Sequence, residues 1–120
     1  MRANEYQEQI KRTMNNDLTE EQKISNMLAG MLGELGEVAD LIKKHLYQGH
    51  PLELNKMHEE LGDSMWYVGN FCNLFDFRLE DIMAANIAKL QKRYPNGFDV
   101  ERSLNREEEV EQNEQLTLDI

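Results

Sequence analysis

The chain has 120 residues, 40% of them apolar and 30% charged, with a formal charge of −10. That length builds one domain rather than two, and the composition excludes collagen-like, repeat-built and disordered polymers. No apolar run approaches the roughly 20 residues that span a bilayer, the opening MRANEYQEQIKR lacks the apolar stretch of a secretory signal, and the acidity opposes a broad nucleic-acid surface.

The expectation is therefore a cytoplasmic protein with neither membrane nor nucleic acid as partner. Strand signals are nearly absent while Leu, Met, Ala, Glu and Lys dominate, so the class is all-α, with antiparallel helices. A first helix is expected over 3–16 with Tyr6, Ile10 and Met14 on one side, ended by NND at 15–17. Thr19 and Gln22 stand in the relation of a capping box and open a long helix. Its apolar positions Leu28, Leu32, Leu35, Ala39, Ile42 and Leu46 describe one stripe, expected to be buried. Gln48-Gly49-His50-Pro51 reads as a short connection to an antiparallel neighbour. The second stripe runs Met57, Leu61, Met65, Val68, Cys72, Phe75 and breaks at NLFDF; a third runs Leu79, Ile82, Met83, Ile87, Leu90 and stops at Pro95-Asn96-Gly97. The domain is placed at 1–100. Residues 101–120 form an acidic tail carrying seven acids against two arginines, a solubilising appendage or an arm packing on a partner through Leu116, Leu118 and Ile120.

Glu34 and Glu37 lie three residues apart on the long helix, and Glu60 and Asp63 repeat that spacing on the next. Residues at i and i+3 share a helix face, so each helix offers two carboxylates side by side. Arms of about ten residues, each spanning about 15 Å, bring the two pairs to one height if the helices form a hairpin. Two unit charges 4 Å apart interact by about 4 kcal/mol at an effective dielectric of 20, so convergent acids call for a cation among them. All-oxygen ligands select Mg²⁺ or Mn²⁺ over zinc, and magnesium completes its shell with substrate phosphates. Gly33, Gly36 and Gly62, interleaved with the acids, suggest close approach of a ligand or of another backbone. On the third helix Asn86, Lys89 and Arg93 make one polar stripe able to offer an amide, an ammonium and a guanidinium to an oligophosphate; complementation of the helix dipole is the plainer account of the cations.

The strings GELGEVADLIKK at 33–44, EELGDSMWY at 59–67 and NIAKLQKRYPNGF at 86–98 resemble the MazG-type nucleoside triphosphate pyrophosphohydrolases of the all-α NTP pyrophosphatase superfamily. The resemblance implies a four-helix-type protomer forming homodimers or homotetramers, and Mg²⁺-dependent hydrolysis of a nucleoside or deoxynucleoside triphosphate to the monophosphate and pyrophosphate. It implies metal ligation by Glu34, Glu37, Glu60 and Asp63, and phosphate contacts from Lys89 and Arg93 with Asn86. Some relatives carry a further acid beside the first pair to position or deprotonate water. Here the neighbours are Gly33, Leu35, Gly36 and Val38, which leaves Glu37 or a metal-held water as the base.

Other residues invite plainer readings. His45, His50 and His58 miss metal-ligand spacings and read as surface or turn residues. Cys72 and Ser64 lack the partners of a nucleophile and read as packing residues. Lys43 and Lys44 either reach phosphate or complement the helix end. Trp66 and Tyr67 either stack on a base near Asp63 or belong to a core or interface, and Asn70 either reads a base edge or caps a loop. Phe71, Leu74, Phe75 and Phe77 surround more than one side of their helix, a surplus that points to self-association. The rival to an enzyme is a non-catalytic helical interaction module with solvated or structural-cation-binding acidic faces.

Overall fold

A computed structural model describes residues 1–106. Five α-helices follow in order: α1 Ala3–Ile10, α2 Glu20–Gln48, α3 Leu54–Leu74, α4 Leu79–Arg93 and α5 Val100–Leu104, with a 3₁₀ turn over Lys11–Thr13. Among the described residues there is no strand, and the all-α class stands. The first helix is shorter than expected, because Lys11–Thr13 tighten into the 3₁₀ turn. Residues 107–120, including the proposed arm through Leu116, Leu118 and Ile120, lie outside the described residues; α5 runs across the boundary set at 100.

Local chemistry accounts for the ends of α2. Gln22 N donates to Thr19 Oγ1 at 3.2 Å while Thr19 N donates to Gln22 Oε1 at 3.0 Å, the reciprocal box expected there. At the other end Gly49 takes a left-handed backbone, φ 72°, and the amides of Gly49 and His50 both donate to the Lys44 carbonyl. His45 Nδ1 lies 2.8 Å from the His50 carbonyl, so the histidines at this turn serve the turn.

The chain divides into two compact units, the first Met1–Asp81 and the second beginning at Ile82. In the first, α2 and α3 form an antiparallel hairpin: Gly30 meets Tyr67 near one end, and Asp40 and Lys44 share a cleft with Lys56 and Glu60 towards the other. A methyl group at Gly30 would overlap the Tyr67 ring, and one at Gly69 would overlap Ile10 Cδ1. These are the glycines that close packing requires. At Gly33, Gly36 and Gly62 an added Cβ meets no atom within 4 Å, so among the described residues no close backbone approach is seen there.

An amide network seats α1 on α3. Buried Gln7 donates through Nε2 to Asn73 Oδ1 at 2.8 Å and to the Phe77 carbonyl at 2.7 Å, and accepts from Leu79 N at 2.8 Å. Asn70, fully buried, donates to the Ile10 carbonyl and accepts from Asn73 Nδ2. Of its two expected uses, capping a loop is the one observed, where the chain leaves α1 at Ile10. Cys72 is buried, as expected of a packing residue, and burial pushes its thiol pKa up. Ser64 is buried too, its hydroxyl donating to the Glu60 carbonyl.

The expected buried stripes need correction. Met27 and Leu41 are the buried apolar residues of α2, while Leu28, Leu32, Leu35 and Leu46 are 50–68% exposed. On α3, Cys72 of the expected stripe is buried, but Leu61, Met65 and Val68 are exposed, and Ser64, Gly69 and Asn70 are buried in their place. Helix periodicity identifies an apolar face without saying which neighbour covers it, and here the faces turned to neighbours within the chain carry small and polar groups. The aromatic surplus is also relocated. Phe71, Phe75 and Phe77 pack on one another, with centroids 5.0 and 5.9 Å apart.

In the second unit, Ile82, Met83 and Ile87 of α4 are exposed. Tyr94 and Phe98 pack at 5.5 Å across the Pro95-Asn96-Gly97 turn, and Asp99 caps α5 by accepting from Glu101 N at 2.8 Å.

Candidate active site

Glu34 and Glu37 project from α2 towards Glu60 of α3, and each offers a carboxylate oxygen within 4.8 Å of the others. Glu34 and Glu60 are half-buried and Glu37 is exposed. Glu34 Oε2 is buried and makes no hydrogen bond, an arrangement that costs free energy unless something else satisfies the oxygen. The mutual proximity shows in the acidities. Glu37 is held above the ordinary carboxylate range by hydrogen bonding to and repulsion from Glu60, with a hydrogen bond to Glu34 and then the charge of Lys56 opposing. Glu60 is raised in turn, first by Glu34 and also by repulsion from Asp63.

Asp63, the fourth expected ligand, stands outside this three-acid group. It is exposed and lines a neighbouring cleft of about 340 Å³ with Thr13, Glu34, Trp66 and Tyr67. Its charge also reaches Tyr6, whose pKa is raised by burial and then by Asp63. A second cleft, of about 200 Å³, opens nearer the Gly49 turn and is lined by Glu37, Asp40, Leu41, Lys44, Lys56 and Glu60. Here Asp40 pairs with Lys44 at 2.8 Å and with Lys43 at 3.2 Å. Those ammonium groups, Lys44 first, hold the Asp40 carboxyl below its usual range, and Asp40 raises Lys44.

Asn86, Lys89 and Arg93 lie on α4 in the second unit, spaced to share a face; Asn86 and Lys89 are exposed and Arg93 is half-buried with its guanidinium 5.8 Å from the Tyr94 ring centroid. The cation–π contact adds to the dipole account of this cluster without excluding phosphate binding.

Two features had no strong sequence signal. Lys56 sits in the loop-proximal turn of α3 with no motif around it, and becomes noticeable only because the hairpin sets it beside Glu37. Thr13, far away in sequence, accepts a hydrogen bond from Trp66 Nε1 at 2.7 Å.

The donor set fits a hard divalent cation. It contains oxygen alone, comes from two facing helices, includes an unsatisfied buried oxygen, and is electrostatically strained without a positive charge. Among the described residues no other such group of acids, histidines or cysteines occurs, and no helix is long and apolar enough to cross a membrane.

The chain is 37% identical over 78 residues to the Gene 37 protein of Mycobacterium phage L5, covering 62% of this chain and 68% of that protein. No solved structure matches it. Residues 22–98 match the MazG nucleotide pyrophosphohydrolase domain, a span that contains both acidic pairs and the Asn86, Lys89, Arg93 stripe. With more than half of its length in that match, the chain belongs to the MazG nucleotide pyrophosphohydrolase family.

Proposed function

We propose that this chain is a cytoplasmic, Mg²⁺-dependent enzyme that hydrolyses a nucleoside or deoxynucleoside triphosphate to the monophosphate and pyrophosphate, with Mn²⁺ as a possible substitute. The observation that carries the reading is the convergence of Glu34, Glu37 and Glu60, with the orphaned Glu34 oxygen, in a member of this family. Glu34, Glu37, Glu60 and Asp63 would hold the metal. When bound, a divalent cation supplies charge neutralisation of the triphosphate and acidification of a bound water.

The remaining work falls to side chains. Lys89 and Arg93, with Asn86, hold phosphate oxygens, the guanidinium offering two parallel donors and the ammonium a point charge. Glu37, exposed at the rim of the cluster, is the candidate base that takes a proton from the attacking water. The bond between the α- and β-phosphates breaks and pyrophosphate departs. The task is nucleotide pool control or removal of unwanted nucleotides. The active form is a homodimer or homotetramer, a reading supported by the exposed leucine and methionine faces of α2 and α3.

The test is a panel of ribo- and deoxyribonucleoside triphosphates incubated with Mg²⁺, Mn²⁺ or a chelator, followed by chromatographic separation of monophosphate, diphosphate, pyrophosphate and phosphate. Monophosphate and pyrophosphate should appear in equal amounts with metal only, and Glu37→Ala should lower the rate by at least about a hundredfold. A wild-type protein that acts on no member of the panel overturns the reading.

A further inference from the structure

The three-acid cluster is flanked by two clefts of opposite chemistry. Glu34 lines the cleft of Thr13, Asp63, Trp66 and Tyr67, which has no cation in its wall. Glu37 and Glu60 line the cleft of Lys44 and Lys56. We infer that the substrate lies along the hairpin in one fixed direction, its nucleoside in the Thr13–Trp66–Tyr67 cleft and its β- and γ-phosphates in the Lys44–Lys56 cleft nearer the Gly49 turn. The inference rests on the proposed hydrolysis and adds to it a nucleoside subsite and a phosphate contact, Lys56.

Chemistry assigns each end. The terminal phosphates carry most of the substrate's charge and need cationic partners; Lys44 is already paired with Asp40, whereas Lys56 faces Glu37, the acid whose charge it moderates. A base needs an aromatic surface, and such stacking tolerates any base because each has a π face. Trp66 and Tyr67 form that wall, edge to face at 5.0 Å and 85°.

The wall is held rigid from outside the family-matched region. Trp66 Nε1 donates to Thr13 Oγ1 at 2.7 Å, and the Thr13 hydroxyl donates onward to the Ile10 carbonyl at 3.2 Å. Thr13 precedes the matched residues 22–98, so this support belongs to the amino-terminal segment. Thr13 is thus a positioning residue and Trp66 a contact. With the indole N–H and the threonine hydroxyl both satisfied inside the wall, neither reads a base edge. This subsite should distinguish the presence of a base from its absence more than one base from another.

The direction is tested by calorimetric binding of the two products to the full chain in Mg²⁺. Trp66→Ala should weaken nucleoside monophosphate binding about tenfold and leave pyrophosphate binding within about twofold. Lys56→Met should do the reverse, weakening pyrophosphate about tenfold. Thr13→Val should follow Trp66→Ala in part, with Thr13→Ser restoring the wild-type affinity. Circular dichroism establishes that each variant is folded. Equal losses for both products in either variant, or the opposite assignment, overturn the inference. Failure of the underlying reading is a separate result, seen when the wild type releases pyrophosphate from no triphosphate.

Discussion

At the scale of single residues the site is a balance of like charges. The folded-state pKa values of Glu37 and Glu60 are raised above those of the unfolded chain. Their contribution to stability is therefore fully present below the ordinary glutamate value of about 4.3 and is lost as pH rises through the raised values. Asp40 runs the other way. Lys44 and Lys43 depress its pKa, so its contribution is present above the unfolded value and disappears as pH falls through the folded one. Replacing Glu37 by Gln removes one repelling charge while leaving the Asp40 pair in place. In chelator at neutral pH, Glu37→Gln should melt at a higher temperature than wild type, and the gap should close on acidification towards pH 4. With Mg²⁺ the order should reverse or shrink, because the wild type alone keeps the full donor set. Differential scanning calorimetry across pH, with and without metal, reads both effects. An unchanged gap at all pH values would show that repulsion at Glu37 is not what destabilises the metal-free fold.

At the scale of elements, packing depends on two glycines whose importance no spacing rule disclosed. Gly69 of α3 accommodates Ile10 Cδ1 from α1, and Gly30 of α2 accommodates the Tyr67 ring from α3. Gly69→Ala should cost about 1–3 kcal/mol through overpacking. Ile10→Val, which deletes the offending Cδ1, should recover part of that loss in the double variant; additive losses in urea unfolding would refute the proposed contact. The hairpin itself was legible. Thr19 with Gln22, and Gly49 before Pro51, are local chemical signals that depend on a few adjacent residues, and both ends of α2 fall where those signals put them. The meeting of Glu34 and Glu37 with Glu60 was legible for the same reason, since i and i+3 spacing reports a shared helix face, whereas the position of Asp63 outside that group was not. The direction in which the apolar stripes face was not, because Leu28, Leu32 and Leu35 look the same in sequence whether α3 or another molecule lies against them. The pairing of Trp66 with Thr13 was equally hidden, as it rests on the Gln7–Asn73–Asn70 amide network that fixes α1 to α3.

At the scale of the whole molecule, the exposed stripes bear on assembly. Leu32 is 68% exposed, Leu35 52%, Leu61 45% and Met65 56%, and all four belong to the hairpin that carries the acids. The apolar area left exposed adds nothing to the fold of an isolated chain, yet it gains about 25 cal/mol per Å² when another apolar surface removes it from water. A second copy offers a like apolar surface, and two-fold pairing is the commonest way for soluble chains to close such an interface. The wild type should therefore sediment as a dimer or larger species at micromolar concentration. The double variant Leu32→Asp, Met65→Asp should sediment as a monomer while keeping most of its helical circular dichroism, since neither side chain is buried within the chain. Glu34, Glu37 and Glu60 all come from one chain, so the monomeric variant should retain a rise in melting temperature on addition of Mg²⁺. Monomeric wild type would remove the assembly argument and leave the metal argument standing; a monomeric variant that is blind to Mg²⁺ would show that the cation site needs a second copy.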